Sequence, residues 1–169
     1  VLIANRGEIV ARVARSAHAM GLQTVAVYSD ADRDSPHTRT CDSAMAIGGE
    51  QAVDSYLSIP KLLQAAKDSG ADAVHPGYGF LSENADFAQA VSDAGLVWTG
   101  PPPSAMRAMG DKAQARRHMQ DAGVPVLPGT REASTDLSAL AHEAQALGFP
   151  LMVKASAGGG GRGMRLVRE

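Results

Sequence analysis

Cysteine is nearly absent. Cys41 is the single one in 169 residues, which excludes an internal disulfide and leads us to expect a reducing, cytoplasmic-type compartment. An excess of one charge is also missing. Lys and Arg number 16 against 18 Asp and Glu, for a net charge of −2, so no general attraction to nucleic acid or to an anionic membrane follows. No apolar run approaches the roughly 20 residues needed to span a bilayer. There is no opening Met and no signal peptide before Val1, and the last residues, Arg165-Leu166-Val167-Arg168-Glu169, read as a strand without a following partner. Both ends are therefore expected to be cuts in a longer polypeptide, and the missing transit peptide leaves an organellar matrix open. No segment repeats, and no G-x-x-x-x-G-K-S/T phosphate loop occurs. What is present is an ordinary globular composition, 44% hydrophobic and 20% charged, which implies a packed core rather than disorder.

The order of elements points to α/β architecture. Val1-Leu2-Ile3-Ala4 reads as a buried strand. Ile9, Val10, Val13, Ala17 and Met20 then recur at helical spacing, with Gly21 as the cap. Further strands are expected at 24–28, 44–47, 73–75 and 96–98, and helices capped by Ser58 and Asn84 and stopped by Gly70 and Gly95. Ser29 to Thr40 reads as a polar loop. Strands alternating with helices at this spacing predict a Rossmann-like, doubly wound parallel sheet over residues 1–99. Gly100-Pro101-Pro102-Pro103 forbids a regular helix or central strand and marks a boundary. A helical linker is expected over 100–126, with a break near Gly110 and Met106, Met109 and Met119 filling a core. Residues 127–169 read as a second architecture: an Ala-rich helix over 136–147, then a strand, a glycine run and a second strand. Strand, loop, strand makes an antiparallel hairpin.

The glycine run, Gly158-Gly159-Gly160-Gly161-Arg162-Gly163, carries the strongest chemical signal. Glycines let backbone N–H groups approach a phosphate without a Cβ in the way. Arg162 adds charge beside the run, and Lys154 stands just before it, where an ammonium could reach the same phosphates. A turn that binds nothing would need no such charge, although composition alone permits it. The run also satisfies G-x-G-x-x-G, but that dinucleotide fingerprint requires a helix after the loop, whereas Met164-Arg165-Leu166-Val167 alternates like a strand. A glycine loop between two strands is the kind that covers nucleotide triphosphates.

Two other places have the right position for a ligand. The first strand-to-helix turn, Asn5-Arg6-Gly7-Glu8, sits where a Rossmann turn would, but lacks its second and third glycines. Without them, Asp30 and Asp32 are weak counterparts of a ribose-binding acid and suit solvated loop positions. The segment His75 to Asn84 leaves the fourth strand at its carboxyl end, where open parallel sheets hold ligands. Two glycines permit close approach there, and Tyr78, Ser82 and Glu83 bring polar groups. The same residues suit a tight structural loop with Asn84 as a helix cap and His75 packed, so the residues alone leave both readings open.

Taken together, Ile3-Ala4-Asn5-Arg6-Gly7-Glu8-Ile9, the segment His75 to Asn84, Met109-Gly110-Asp111-Lys112, Ala122-Gly123-Val124-Pro125, and Lys154-Ala155-Ser156 with Gly158 to Met164 resemble the biotin carboxylase family in order and spacing. The resemblance runs the whole length of the chain. It implies an ATP-grasp enzyme that uses ATP and bicarbonate to make carboxyphosphate and then carboxylates biotin on a carrier. By this similarity, residues 1–99 are the pre-ATP-grasp domain, 100–126 the linker and 127–169 the start of the lid. Lys112, Lys154, Gly160, Gly161 and Met164 match ATP-binding positions, and Tyr78 and Gly79 match positions near the biotin and bicarbonate pocket. Mg²⁺ is implied as well, but the family's metal-binding Glu residues, its general base and its biotin-facing Arg lie past residue 169. No catalytic or metal-binding residue is thus expected within this chain, and the chain alone is expected to be inactive. A biotin carboxyl carrier domain, a carboxyltransferase subunit and a homodimer of the full-length protein are the implied partners. The pattern looks most like the biotin carboxylase subunits of methylcrotonyl-, propionyl- or geranyl-CoA carboxylases, and slightly less like pyruvate carboxylase. An NAD-binding Rossmann module and a catalytically silent scaffold are the rival function classes.

Overall fold

A computed structural model describes residues 1–130, 134–155 and 163–169. The chain divides into two compact units, Val1–Met106 and Arg107–Glu169. In the first, β1 (Leu2–Ile3), α1 (Glu8–Ala19), β2 (Val25–Tyr28), β3 (Ser43–Ala46), α2 (Ile59–Asp68), β4 (Ala73–His75), α3 (Ala85–Asp93) and β5 (Val97–Trp98) follow in order. The five strands form one sheet in the order β3-β2-β1-β4-β5, and every neighbouring pair is parallel. The chain thus winds outward from β1 to one edge and then crosses to the other, which brings the carboxyl ends of β1 and β4 side by side.

Both faces of this sheet are covered, as a parallel sheet requires. On one, Leu2, Val25, Val27, Val74, Tyr56, Leu62, Phe87 and Val91 are buried together. On the other, Ile3 and Ala26 pack against Val10 and Ala14 of α1. The alternation of Leu2 and Ile3 between the faces is the two-residue period of a strand. Phe87 meets Trp98 edge-on, with centroids 5.4 Å apart. Helix ends follow the expected chemistry in most places. At α1 the Gly21 N–H reaches the His18 carbonyl and the Leu22 N–H the Ala17 carbonyl, both at 2.9 Å. That crossed pair needs a residue with φ near +74° after the helix, which glycine adopts without Cβ strain. Gly70 and Gly95 close α2 and α3 with the same pair of bonds. Asn84 caps α3 by accepting from the Phe87 N–H at 2.8 Å, whereas Ser58 precedes α2 without a side-chain capping bond. Met20, expected on the apolar face of α1, lies at the helix end and is 74% exposed.

The polar stretch 29–40 holds two short 3₁₀ turns, Asp30–Asp32 and Pro36–Arg39, and buries His37, whose Nε2 lies 3.1 Å from the Val27 carbonyl. Next to it, Asp42 fastens the β2 and β3 entries together. Its carboxylate accepts from the Thr24 N–H at 2.7 Å, the Thr24 hydroxyl at 2.9 Å and His18 Nε2 at 3.0 Å. The Thr24 backbone bond, then the Thr24 hydroxyl and His18, lower its pKa from 3.8 to about 2. A carboxyl whose folded pKa is depressed contributes stability above its unfolded pKa and loses it as pH falls through the folded value. The urea midpoint of the first unit is therefore expected to decline as pH drops from 3.8 toward about 2. Asp42→Asn is expected to lower the midpoint at neutral pH and to flatten that decline. A decline of the same steepness in the variant would show that Asp42 is not its source.

In the second unit, α4 (Pro103–Gly110) begins in the first and runs into α5 (Lys112–Asp121) after a break at Asp111, whose carboxylate accepts from the Gln114 N–H at 2.8 Å. Met106 is 9% exposed, while Met109, expected in a core, is 53% exposed. Then come α6 (Leu137–Leu147), capped by Asp136, and β6 (Leu151–Val153) with β7 (Arg165–Val167). The last two form an antiparallel pair with Val153 opposite Arg165. Among the described residues, no helix is long and apolar enough to cross a membrane.

Candidate functional site

The sheet order sets Asn5, after β1, against His75 and Pro76, after β4. The Ala4 N–H bonds the His75 carbonyl at 2.8 Å. Asn5 is 3% exposed, yet all its amide capacity on this side is used: Nδ2 donates to the Pro76 and Tyr78 carbonyls at 2.8 Å each, and Oδ1 accepts from the Arg6 N–H at 2.9 Å. The loop turns over this amide at Gly77, where φ is +67° and a Cβ would come within 2.7 Å of Asn5 Nδ2. Glycine is required here on both counts.

Arg6 works on the other end of the loop. Its guanidinium lies 5.9 Å from the Tyr56 ring centroid and 5.8 Å from that of Phe80, and the two rings stack at 5.1 Å. Asp32 anchors the group: it meets Arg6 at 3.2 Å, the Tyr56 hydroxyl at 2.8 Å, and the hydroxyls of Ser29 and Ser35 at 3.1 and 3.2 Å. Burial pushes the Asp32 carboxyl up, but the bonds from Tyr56, Arg6 and Ser29 outweigh it and hold its pKa below 3.8. Burial raises the Tyr56 phenol to about 12. Both groups thus stay in the states that the network needs. These contacts hold Phe80 at φ +42°, the sole positive φ on a non-glycine residue among those described.

Between the Asn5–Glu8 turn, the 3₁₀ segment and the Tyr78–Phe80 loop lies an open cleft of about 700 Å³. It carries Arg6, Glu8, Asp32, His37 and Tyr78 on its walls. Tyr78 is 60% exposed, and its hydroxyl donates to the Glu8 carboxylate. That bond lowers the Glu8 pKa and raises that of Tyr78. His75, half-buried, is held below the usual imidazole value by burial and accepts from the Gly77 N–H at 3.0 Å through Nδ1, a backbone-bonded role. The carbonyl of Tyr78 is taken by Asn5 and that of Gly79 by the Ser82 N–H at 2.9 Å. The peptide N–H groups of Tyr78 and Gly79 make no hydrogen bond among the described residues.

A dinucleotide fits this cleft poorly. Its pyrophosphate would meet the N-terminus of α1, where Glu8 places a carboxylate in the first turn, and Asp32 has its oxygens committed to four donors.

The remaining site residues lie in the second unit. Lys112 is the first residue of α5. Lys154 is exposed just after β6, and Met164, 41% exposed, just precedes β7. Both stand at the loop end of the β6–β7 pair, next to the Val153–Arg165 partners. Gly160 and Gly161 lie outside the described residues. Sequence reasoning singled out the Asn5–Glu8 turn without the role of its amide, and it missed Tyr56, which contacts Asp32 across 24 positions. Among the described residues, no group of three or more His, Cys, Asp or Glu side chains is placed to hold a metal ion, so the described residues do not fit a Mg²⁺ site by themselves.

The first unit is thus a parallel α/β sheet with a fixed loop at its carboxyl edge, and helices and an antiparallel strand pair follow it. Residues 1–106 match the model for "Biotin carboxylase, N-terminal domain" and residues 111–169 that for "Carbamoyl-phosphate synthase L chain, ATP binding domain". The α subunit of a mitochondrial methylcrotonoyl-CoA carboxylase from Arabidopsis thaliana is 52% identical over all of this chain and 23% of its own length. Biotin carboxylase 2 of Bacillus subtilis is 49% identical over all of this chain and 38% of its own. The crystal structure of the Campylobacter jejuni biotin carboxylase superposes with a TM-score of 0.95 at 45% identity, covering 99% of this chain and 38% of that one. The biotin carboxylase domain of Hydrogenobacter thermophilus 2-oxoglutarate carboxylase, solved with MgADP, ADP and bicarbonate, superposes at 0.94 with 41% identity, covering 99% and 37%. The chain belongs to the biotin carboxylase family. It spans well under half the length of these relatives, from 23% to 38%.

Proposed function

We propose that this chain is the front part of a biotin carboxylase in an acyl-CoA carboxylase, and that the full-length protein uses ATP, Mg²⁺ and bicarbonate to carboxylate biotin on a carrier domain. The observation that carries this reading is the fixed loop at the carboxyl edge of the sheet, in a chain related over its whole length to biotin carboxylases. Tyr78 and Gly79, both lining the cleft, have adjacent peptide N–H groups that make no hydrogen bond among the described residues. Such a pair suits a carbonyl or carboxylate oxygen, which the ureido ring of biotin and bicarbonate both carry.

Lys112, Lys154, Gly160, Gly161 and Met164 are assigned to ATP. Phosphoryl transfer depends mainly on positioning and charge neutralisation. Two ammonium groups and a glycine-rich backbone supply part of that, and Mg²⁺, held by carboxylates of the full-length protein, would supply the remaining positive charge. The expected partners are a biotin carboxyl carrier domain, a carboxyltransferase subunit and a second copy of the full-length protein. Cytoplasm or an organellar matrix is the compartment this reading fits.

Nucleotide titration of the full-length protein separates this reading from its rivals. ATP is expected to bind, more tightly with Mg²⁺, and NAD not to bind. NAD binding without ATP binding would make the protein a Rossmann-type cofactor module, and binding of neither would make it a scaffold.

A further inference from the structure

We infer that Asn5 is a positioning residue for the biotin and bicarbonate end of the site, acting through the backbone of Tyr78 and Gly79; this rests on the assignment of those two residues made above. The side chain is buried, at 3% exposure, at the carboxyl edge of the sheet. It joins its own turn to two carbonyls of one loop, 71 and 73 residues further along the chain. One amide nitrogen holds the carbonyls on either side of Gly77, those of Pro76 and Tyr78, at 2.8 Å each. With the Tyr78 carbonyl pulled inward, the Gly79 N–H, which is antiparallel to that carbonyl within the same trans peptide, points away from Asn5. The Asn5 oxygen meanwhile fixes the Arg6 N–H at 2.9 Å, and Arg6 in turn packs on Phe80. One side chain thereby ties both ends of the ligand-edge loop to β1. An aspartate keeps the acceptor for Arg6 but sets a carboxylate oxygen against two carbonyls, and a serine is too short to reach both.

The test is kinetic, on the full-length protein with free biotin as the varied substrate. Asn5→Asp is expected to raise the KM for biotin about tenfold to a hundredfold, the effect of losing two buried hydrogen bonds, while the KM for ATP stays within about twofold. A purely structural residue would move both constants together or neither, so an unchanged biotin KM, or an equal rise in both, overturns the inference. Should Asn5→Asp be too unstable to assay, Asn5→Ser takes its place. It keeps one hydroxyl donor, and about a three- to tenfold rise in biotin KM is expected; no rise overturns the inference equally. Tyr78→Pro, which removes the side chain and one of the two peptide N–H groups, separates the loop assignment from the role of Asn5. If it too leaves biotin KM unchanged, the assignment of the loop to biotin fails. If it raises biotin KM and the Asn5 variants do not, the loop assignment stands and the positioning role of Asn5 fails alone.

Discussion

In hydrogen exchange on the 169-residue chain, the amides of Val25 to Val27 are expected to exchange about a thousandfold or more slowly than those of Leu151 to Val153. β2 has a neighbour on each side, β1 and β3, and Val25, Ala26 and Val27 are 7%, 0% and 0% exposed. Their amides open only with the whole first unit, whose cost is that of a folded domain, about 5 kcal/mol or more. Among the described residues β6 pairs only with β7, with Met152 42% and Val153 49% exposed. A two-stranded hairpin without a covering layer is marginal in water. Leu166 on β7 is 51% exposed and Leu137 on α6 81%, so the second unit shows apolar surface that more chain or a partner would cover. High and equal protection in both regions would establish the second unit as an independent folding unit and overturn this division of stability.

The legible parts of this molecule are those governed by local rules. Two-residue and 3.6-residue periods locate the strands and helices of the first unit, and glycine marks where α1, α2 and α3 stop because their terminal carbonyls are satisfied only by a left-handed residue. The break near Gly110 is present between α4 and α5. Ser58 shows the limit of such rules: the residue type is right, but no side-chain cap bond forms. The 29–40 stretch was legible only as polar. Nothing in its local pattern says that His37 turns inward to the Val27 carbonyl or that Asp32 gathers Arg6, Tyr56, Ser29 and Ser35. The contacts of Asp32 with Arg6 and Tyr56 follow from the strand order β3-β2-β1-β4-β5, which brings together residues 26 and 24 positions apart and leaves no signature in any short window. The site was half-legible for the same reason. Its loops could be named from their glycines and their place after strands, while the Asn5 amide that joins them belongs to tertiary structure alone.

The most direct measurement is bicarbonate-dependent ATP cleavage by the full-length protein, wild type against Lys154→Ala. Lys154 stands exposed where β6 ends, beside the glycine run. One ammonium facing a phosphate in a partly closed site contributes roughly 1.5–3 kcal/mol, so its removal is expected to lower the rate or the ATP affinity about tenfold to a hundredfold. The wild-type protein is expected to release phosphate from ATP only when bicarbonate is present, and faster with biotin. Cleavage indifferent to bicarbonate and biotin would contradict the assignment to biotin carboxylation, and kinetics unchanged in Lys154→Ala would remove that lysine from the ATP site.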